Sequence, residues 1–333
     1  METNAVQQLF FQHIKSALPP HLTLVDEIAE HLNISNDSAY RRIRGEKAMN
    51  FEEIQKLCRH YKVSLDQILH LQSEALVFTG RVNHESSTTF EDYLESVHRN
   101  LTIINSFEHK HLYFLMKDIP PFVHFQVPEL SAFKFYFWMK SILHYDNMQK
   151  VKFSLDDPIY DKFHVLSKKV IEAYNKLPTT EIWNVESINS TIRQIEFFRD
   201  SGLYKSNADV KLLYEKLEEL INHIERQAET GLKFNIGTEP DSNSAPYRLF
   251  VNEFVTLDNT LLAEMNNVKI TFINHSVLYF VATRDEQFNR ASFTFLDNLM
   301  NKSTLISAVG EKERERFFKL LRDKIQARKN SLK

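Results

Sequence analysis

Arg41, Arg42 and Arg44, followed by Lys47, form the densest run of positive charge in the first eighty residues. An arginine presents a planar fork of N–H donors that can pair with two acceptors at once, the O6/N7 edge of guanine or two phosphate oxygens. Lysine offers a point charge suited to phosphate. Asn36, Asp37, Ser38 and Tyr40 lie just upstream, and on a helical period they share outward or flanking positions with Arg41 and Arg44. A short helix with that polar and basic surface suits the groove of a DNA duplex. On this reading Arg41 and Arg44 contact bases or phosphates. Asn36 and Ser38 reach base edges or backbone, and Arg42 and Lys47 bind phosphates. A plain helical hairpin with a solvated face could carry the same residues, so the flanking elements have to decide.

Other chemistry finds less support. His109, Lys110 and His111 form the densest histidine cluster, but no HExxH or paired CxxC accompanies it, and no metal site is expected. The adjacent carboxylates Asp156-Asp157 and Glu218-Glu219 suit solvated helix ends or faces better than acid–base work. No GxSxG is present, so no catalytic residues are assigned and the chain is not expected to be an enzyme. With 6 glycines in the chain and no GxGxxG or GxxxxGK[ST], nucleotide cofactors of those types are not expected either. The single cysteine, Cys58, falls on an apolar helical face and reads as a buried thiol.

The elements around the arginines have a definite order. Thr23 can cap a helix, with Asp26 completing a capping box, and Leu24, Ile28 and Leu32 recur on one face beside the small Ala29. Asn33 stands where the chain must reverse, a position that favours a left-handed backbone. Ser35 can cap a second helix whose buried face is Ala39 and Ile43, and Gly45 ends it. This stretch, TLVDEIAEHLNISNDSAYRRIR, resembles the helix-turn-helix of the phage-repressor type, the XRE or Cro-like transcriptional regulators. GEKAMNFEEIQKLCRHYKVSLDQIL resembles the fourth and fifth helices of the same domain, with Phe51, Ile54, Leu57, Cys58, Val63, Leu65, Ile68 and Leu69 apolar. The resemblance covers about a quarter of the chain. It implies a five-helix domain that places its third helix in the major groove. One position departs: Arg42 stands where such domains carry an aliphatic residue, and Ile43 follows it, which implies a slight rotation of the helix about its axis.

Bulk charge does not favour nucleic acid. The net formal charge is −3, and the first eighty residues hold eight Lys and Arg against ten Asp and Glu. Each neutralised phosphate adds about one unit of salt dependence, so one copy with only a local basic cluster should bind weakly. A homodimer on double-stranded DNA is therefore expected. No apolar run reaches the ~20 residues of a membrane span, and nothing at the N-terminus resembles a signal peptide. The expectation is a cytoplasmic protein with no membrane partner.

The remaining pattern implies a mainly α fold. Residues 1–72 form the helix-turn-helix domain and residues 73–89 a linker. Residues 90–236 form an antiparallel helical layer for dimerisation or sensing. Residues 247–333 form a small α+β module ending in a basic amphipathic helix. The alternating Val268, Ile270 and Phe272 after Asn266-Asn267 mark a hairpin strand. The aromatic run FKFYFWMK (133–140) reads as core or dimer surface, and as the place for a small apolar ligand if one binds. A peptide in the C-terminal region is the other candidate partner. The final helix carries nine basic against four acidic residues from Glu311 on, and either faces solvent or assists DNA binding. Two other classes compete with the regulator. One is an adaptor that uses the N-terminal domain for protein contacts; the other is an enzyme with its site in the C-terminal module.

Overall fold

Short amphipathic helices open the chain: α1 (Thr3–Ala17), α2 (Leu24–Leu32), α3 (Asn36–Ile43) and α4 (Phe51–Tyr61). The computed structural model describes residues 3–65, 68, 76–80, 89–115, 117–254, 259–276 and 278–332. These helices close on a small core of their own, in which Phe11, Ile14, Ile28, Ala39 and Leu57 are fully buried. Of the fifth helix read from the sequence, Leu65 and Ile68 are helical and Ile68 reaches this core. Residues 66–67 and 69–75 lie outside the described residues, as do 81–88 of the expected linker.

The rest of the chain is built on one mixed sheet of eight strands. They are β1 (Thr79–Gly80), β2 (Lys110–Leu115), β3 (Thr179–Trp183), β4 (Tyr247–Val251), β5 (Thr260–Met265), β6 (Val268–Asn274), β7 (Phe280–Thr283) and β8 (Thr304–Leu305). Their order is β1-β7-β6-β5-β2-β3-β4-β8, with β2, β3 and β4 parallel and every other pairing antiparallel. The α5 (Phe90–Asn105), α6 (Pro128–Phe137), α7 (Asp161–Asn175), α8 (Asn189–Asp200) and α9 (Asn207–Thr230) helices cover one face, together with α11 (Glu311–Asn330). The α10 helix (Glu286–Asn301) covers the other, setting Phe293 and Leu296 against Leu115, Ile182, Phe250 and Leu262. Strand residues alternate between the two cores as a pleat requires: Leu112 and Phe114 face the large one and Leu115 the small one.

The expected separation into a helical layer and a small C-terminal α+β module is therefore corrected. Helix makes up 57% of the fold, but β2 and β3 come from the supposedly helical region and pair directly with β5 and β4. The fold is α+β around a single sheet. The run at 111–116, ambiguous between helix and strand, is largely β2. β3 escaped notice because TTEIW lacks the apolar alternation of a core strand, although all five residues are buried. Glu181 at its centre is made tolerable by full satisfaction. Its carboxylate accepts from Tyr174 Oη (2.6 Å), Trp183 Nε1 (2.9 Å) and Tyr247 Oη (3.3 Å). The Lys233 ammonium, also buried, donates to the Tyr174 carbonyl at 2.8 Å and lies over the Tyr174 ring.

Several local readings agree with the structure. Asn266 adopts φ 52° in the hairpin turn between β5 and β6, and Gly231 ends α9 at φ 69°. The aromatic run 133–140 is core: Phe133, Phe135, Tyr136 and Trp138 pack against other rings of the chain. Among the described residues no helix is long and apolar enough to cross a membrane.

The half-buried His111 and the buried His223 set a pH dependence. Burial, reinforced by Arg248 and Lys233, lowers His111 to about 4, and burial lowers His223 to about 4 despite its bond to the Phe234 carbonyl. The unfolded chain takes up protons below about pH 6.5 that the folded chain refuses, so stability falls from pH 7 towards pH 4 and flattens below that. Each group contributes up to about 1.4 kcal/mol per pH unit in that window. Thermal unfolding across this range should show a shallower slope for His223→Gln than for the wild type. Identical slopes would contradict the assignment.

Candidate nucleic-acid interface

The turn that presents α3 is fixed by caps at both ends. Thr23 Oγ1 accepts from Asp26 N at the start of α2, and Asn33 ends that helix in the left-handed region at φ 54°. Asn33 donates its N–H back to the carbonyls of α2, and Ser35 Oγ then accepts from Ser38 N to start α3. The Asn36 amide bonds Asp26 Oδ1 at 3.0 Å, tying the beginnings of the two helices together. At α2 the expected capping box is only half made, since Asp26 accepts from the Thr23 hydroxyl and not from its backbone, whereas a complete box, Asn50 with Glu53, starts α4.

Arg42 is the residue on which the arrangement turns. Its side chain is 6% exposed, and Nη2 and Nε bond Glu53 at 2.6 and 3.2 Å, while Nη1 donates to the Ser38 carbonyl. That hydrogen bond holds the Glu53 carboxyl below its ordinary range. The expected phosphate contact by Arg42 is thus corrected, because its guanidinium is spent inside the domain. The expected rotation of α3 is corrected with it. Arg42 lies three residues after the buried Ala39 and takes the inward position itself, with Ile43 half-buried beside it.

The other residues assigned to DNA lie where a duplex could reach them. Asn36, Asp37, Tyr40, Arg41, Arg44 and Lys47 are exposed, and Ser38 is half-buried. The Arg41 and Arg44 side chains are 54% and 59% exposed, so among the described residues nothing covers them. Tyr40 lies under the Arg44 guanidinium at 5.3 Å. Glu46 sits 3.9 Å from Arg41 and 3.4 Å from Arg44, reducing the positive potential of this face.

Sequence reasoning missed three supporting residues. Gln7 on α1 bonds the carbonyls of Arg42 and Lys47 and accepts from Met49 N, clamping the segment after α3. No sequence signal marked it. Glu53 was visible as half of an Asn50-to-Glu53 capping box before an apolar run, and Glu46 as an acid inside a basic cluster. The basic α11 has other commitments. Arg314 donates to the carbonyls of Ile306 and Val309, while Arg322, Lys324, Arg328 and Lys329 pair with Glu225, Glu186, Glu196 and Glu218. Five of its eight basic residues thereby hold α11 to the chain's own framework.

Two short capped helices joined at a left-handed asparagine, with an uncovered second helix, define a helix-turn-helix of the XRE-like type. Residues 18–87 match the BetR domain, a family of N-terminal helix-turn-helix DNA-binding domains. No curated protein and no solved structure matches the chain.

Removing one partner of a buried ion pair leaves the other charge stranded, whereas replacing both with apolar groups is close to neutral. Arg42→Ala should therefore destabilise the N-terminal domain by about 3 kcal/mol, and Arg42→Met combined with Glu53→Leu should recover most of that. Denaturant titration checks both. A single variant as stable as the wild type would show the pair to be incidental.

Proposed function

We propose that this chain is a sequence-specific DNA-binding transcriptional regulator acting as a homodimer. The α3 helices of two copies would enter successive major grooves, with half-sites about 34–36 Å apart. The observation that carries this reading is the free outward face of α3, with Arg41 and Arg44 exposed while Arg42 anchors the helix from beneath. The match of residues 18–87 to a DNA-binding domain family supports the same reading. The dimer follows from electrostatics: with a net acidic N-terminal region, a single copy has too little positive charge to hold a duplex at physiological salt. The sheet and its helices would serve dimerisation and the sensing of a small ligand or peptide, since reading DNA alone does not require so large a partner region. The setting proposed is cytoplasmic, with no catalytic role.

Selection of binding sites from random duplexes tests the proposal and reports symmetry at the same time. A two-fold symmetric consensus is expected; no enrichment at low salt would overturn the reading. On the selected site, Arg41→Ala should cost about 1–3 kcal/mol and change base preference. An equal loss on random DNA would reassign Arg41 to phosphate. Glu46→Gln should tighten binding severalfold and steepen the salt dependence, because both arginines lose a competing carboxylate. Unchanged affinity would show Glu46 already displaced in the complex.

A further inference from the structure

The α2 and α4 helices of the N-terminal domain hold a cluster that the proposed DNA contact does not use. Glu27 and His31 are four residues apart on α2, with Glu27 Oε2 and His31 Nε2 separated by 3.5 Å. His60, in the last turn of α4, lays its ring against His31 with centroids 3.5 Å apart. One donor atom from each of the three residues lies within 4.8 Å of the other two. The Tyr61 hydroxyl donates to Glu27 Oε2 at 3.2 Å and its ring stands edge-on to both imidazoles, so the carboxylate has an outer partner that orients it.

We propose that Glu27, His31 and His60 bind one divalent late first-row transition ion, of which zinc is the representative. Two imidazoles and one carboxylate form a borderline donor set that suits zinc, cobalt, nickel or copper and is poor for calcium or magnesium, which take oxygen ligands. Metal–ligand bonds of about 2.1 Å at tetrahedral angles place donors about 3.4 Å apart. The Glu27–His31 separation already meets this. The wider separations, at most 4.8 Å, would close through rotation of His60, the exposed member of the three. Water completes the fourth position. His31 and His60 sit in the last turns of α2 and α4, where the negative ends of two helix dipoles favour a cation. A bound ion staples these two helices, and α2 is the helix against which α3 packs. The metal site stands independently of whether α3 reads DNA.

The untagged full-length chain should bind one Co(II) with the intense visible absorption of tetrahedral cobalt, and Zn(II) should displace it. Zinc should raise the melting temperature by at least about 3 °C. His60→Gln and Glu27→Gln should each weaken cobalt binding at least tenfold and remove the zinc shift, with the metal-free melting temperature reporting that the fold persists. His21→Gln, another exposed histidine of the domain, should bind like the wild type. Absence of both the cobalt spectrum and the zinc shift in the wild type would overturn the proposal. So would affinity unchanged in both His60→Gln and Glu27→Gln.

Discussion

The buried pair between Arg42 and Glu53 decides which way α3 faces. A charged pair inside a small domain is not a cheap source of stability, since desolvation offsets most of the attraction and an apolar pair would hold as well. What the pair supplies is direction. The guanidinium binds Glu53 on α4 and the Ser38 carbonyl one turn back on its own helix, so it fixes both the position and the rotation of α3. With Arg42 inward, helical geometry leaves Tyr40, Arg41 and Arg44 on the outside. The carbonyls of Arg42 and Lys47 are in turn held by Gln7, which ties the exit of α3 to α1.

The sheet uses the same device at larger scale. Glu181 sits in the middle of the parallel core, where an unpartnered carboxylate would cost several kcal/mol. Three side-chain donors and the nearby Lys233 satisfy it, and they come from α7, β3, β4 and the segment after α9. A second buried group works alike: Lys134 on α6 donates to Thr191 and Gln194 of α8, with His124 on the same threonine. In each case a polar group that would destabilise a misassembled chain finds its partners only when several distant elements meet. Such groups specify which elements meet more than they add to the strength of the assembly.

This explains what could and could not be read from the residues. Caps, turns and amphipathic stripes act over four or five residues, and those were legible: Thr23, Asn33, Ser35, the Asn266 turn and the Gly231 terminus all behave as their spacing implies. Long-range partners were not. Nothing near Thr179–Trp183 announces that Glu181 will find three donors, so β3 carries no local strand signal and the pattern alone implies only a small terminal module. Arg42 posed the same problem in miniature. Its charge argued for the surface, and only the position of Glu53 eleven residues on reverses that. The exposed face of α3 is legible because an amphipathic period places its residues without reference to any partner.

One measurement addresses the orientation of α3 directly: amide hydrogen exchange of the full chain, with and without a bound duplex. The account requires new protection concentrated in residues 36–47, with the sheet strands β2 to β4 unchanged in a complex of one dimer per site. Protection that spares 36–47 and appears instead along α11 or the sheet would contradict it, and α3 would then be a structural helix with an idle basic face.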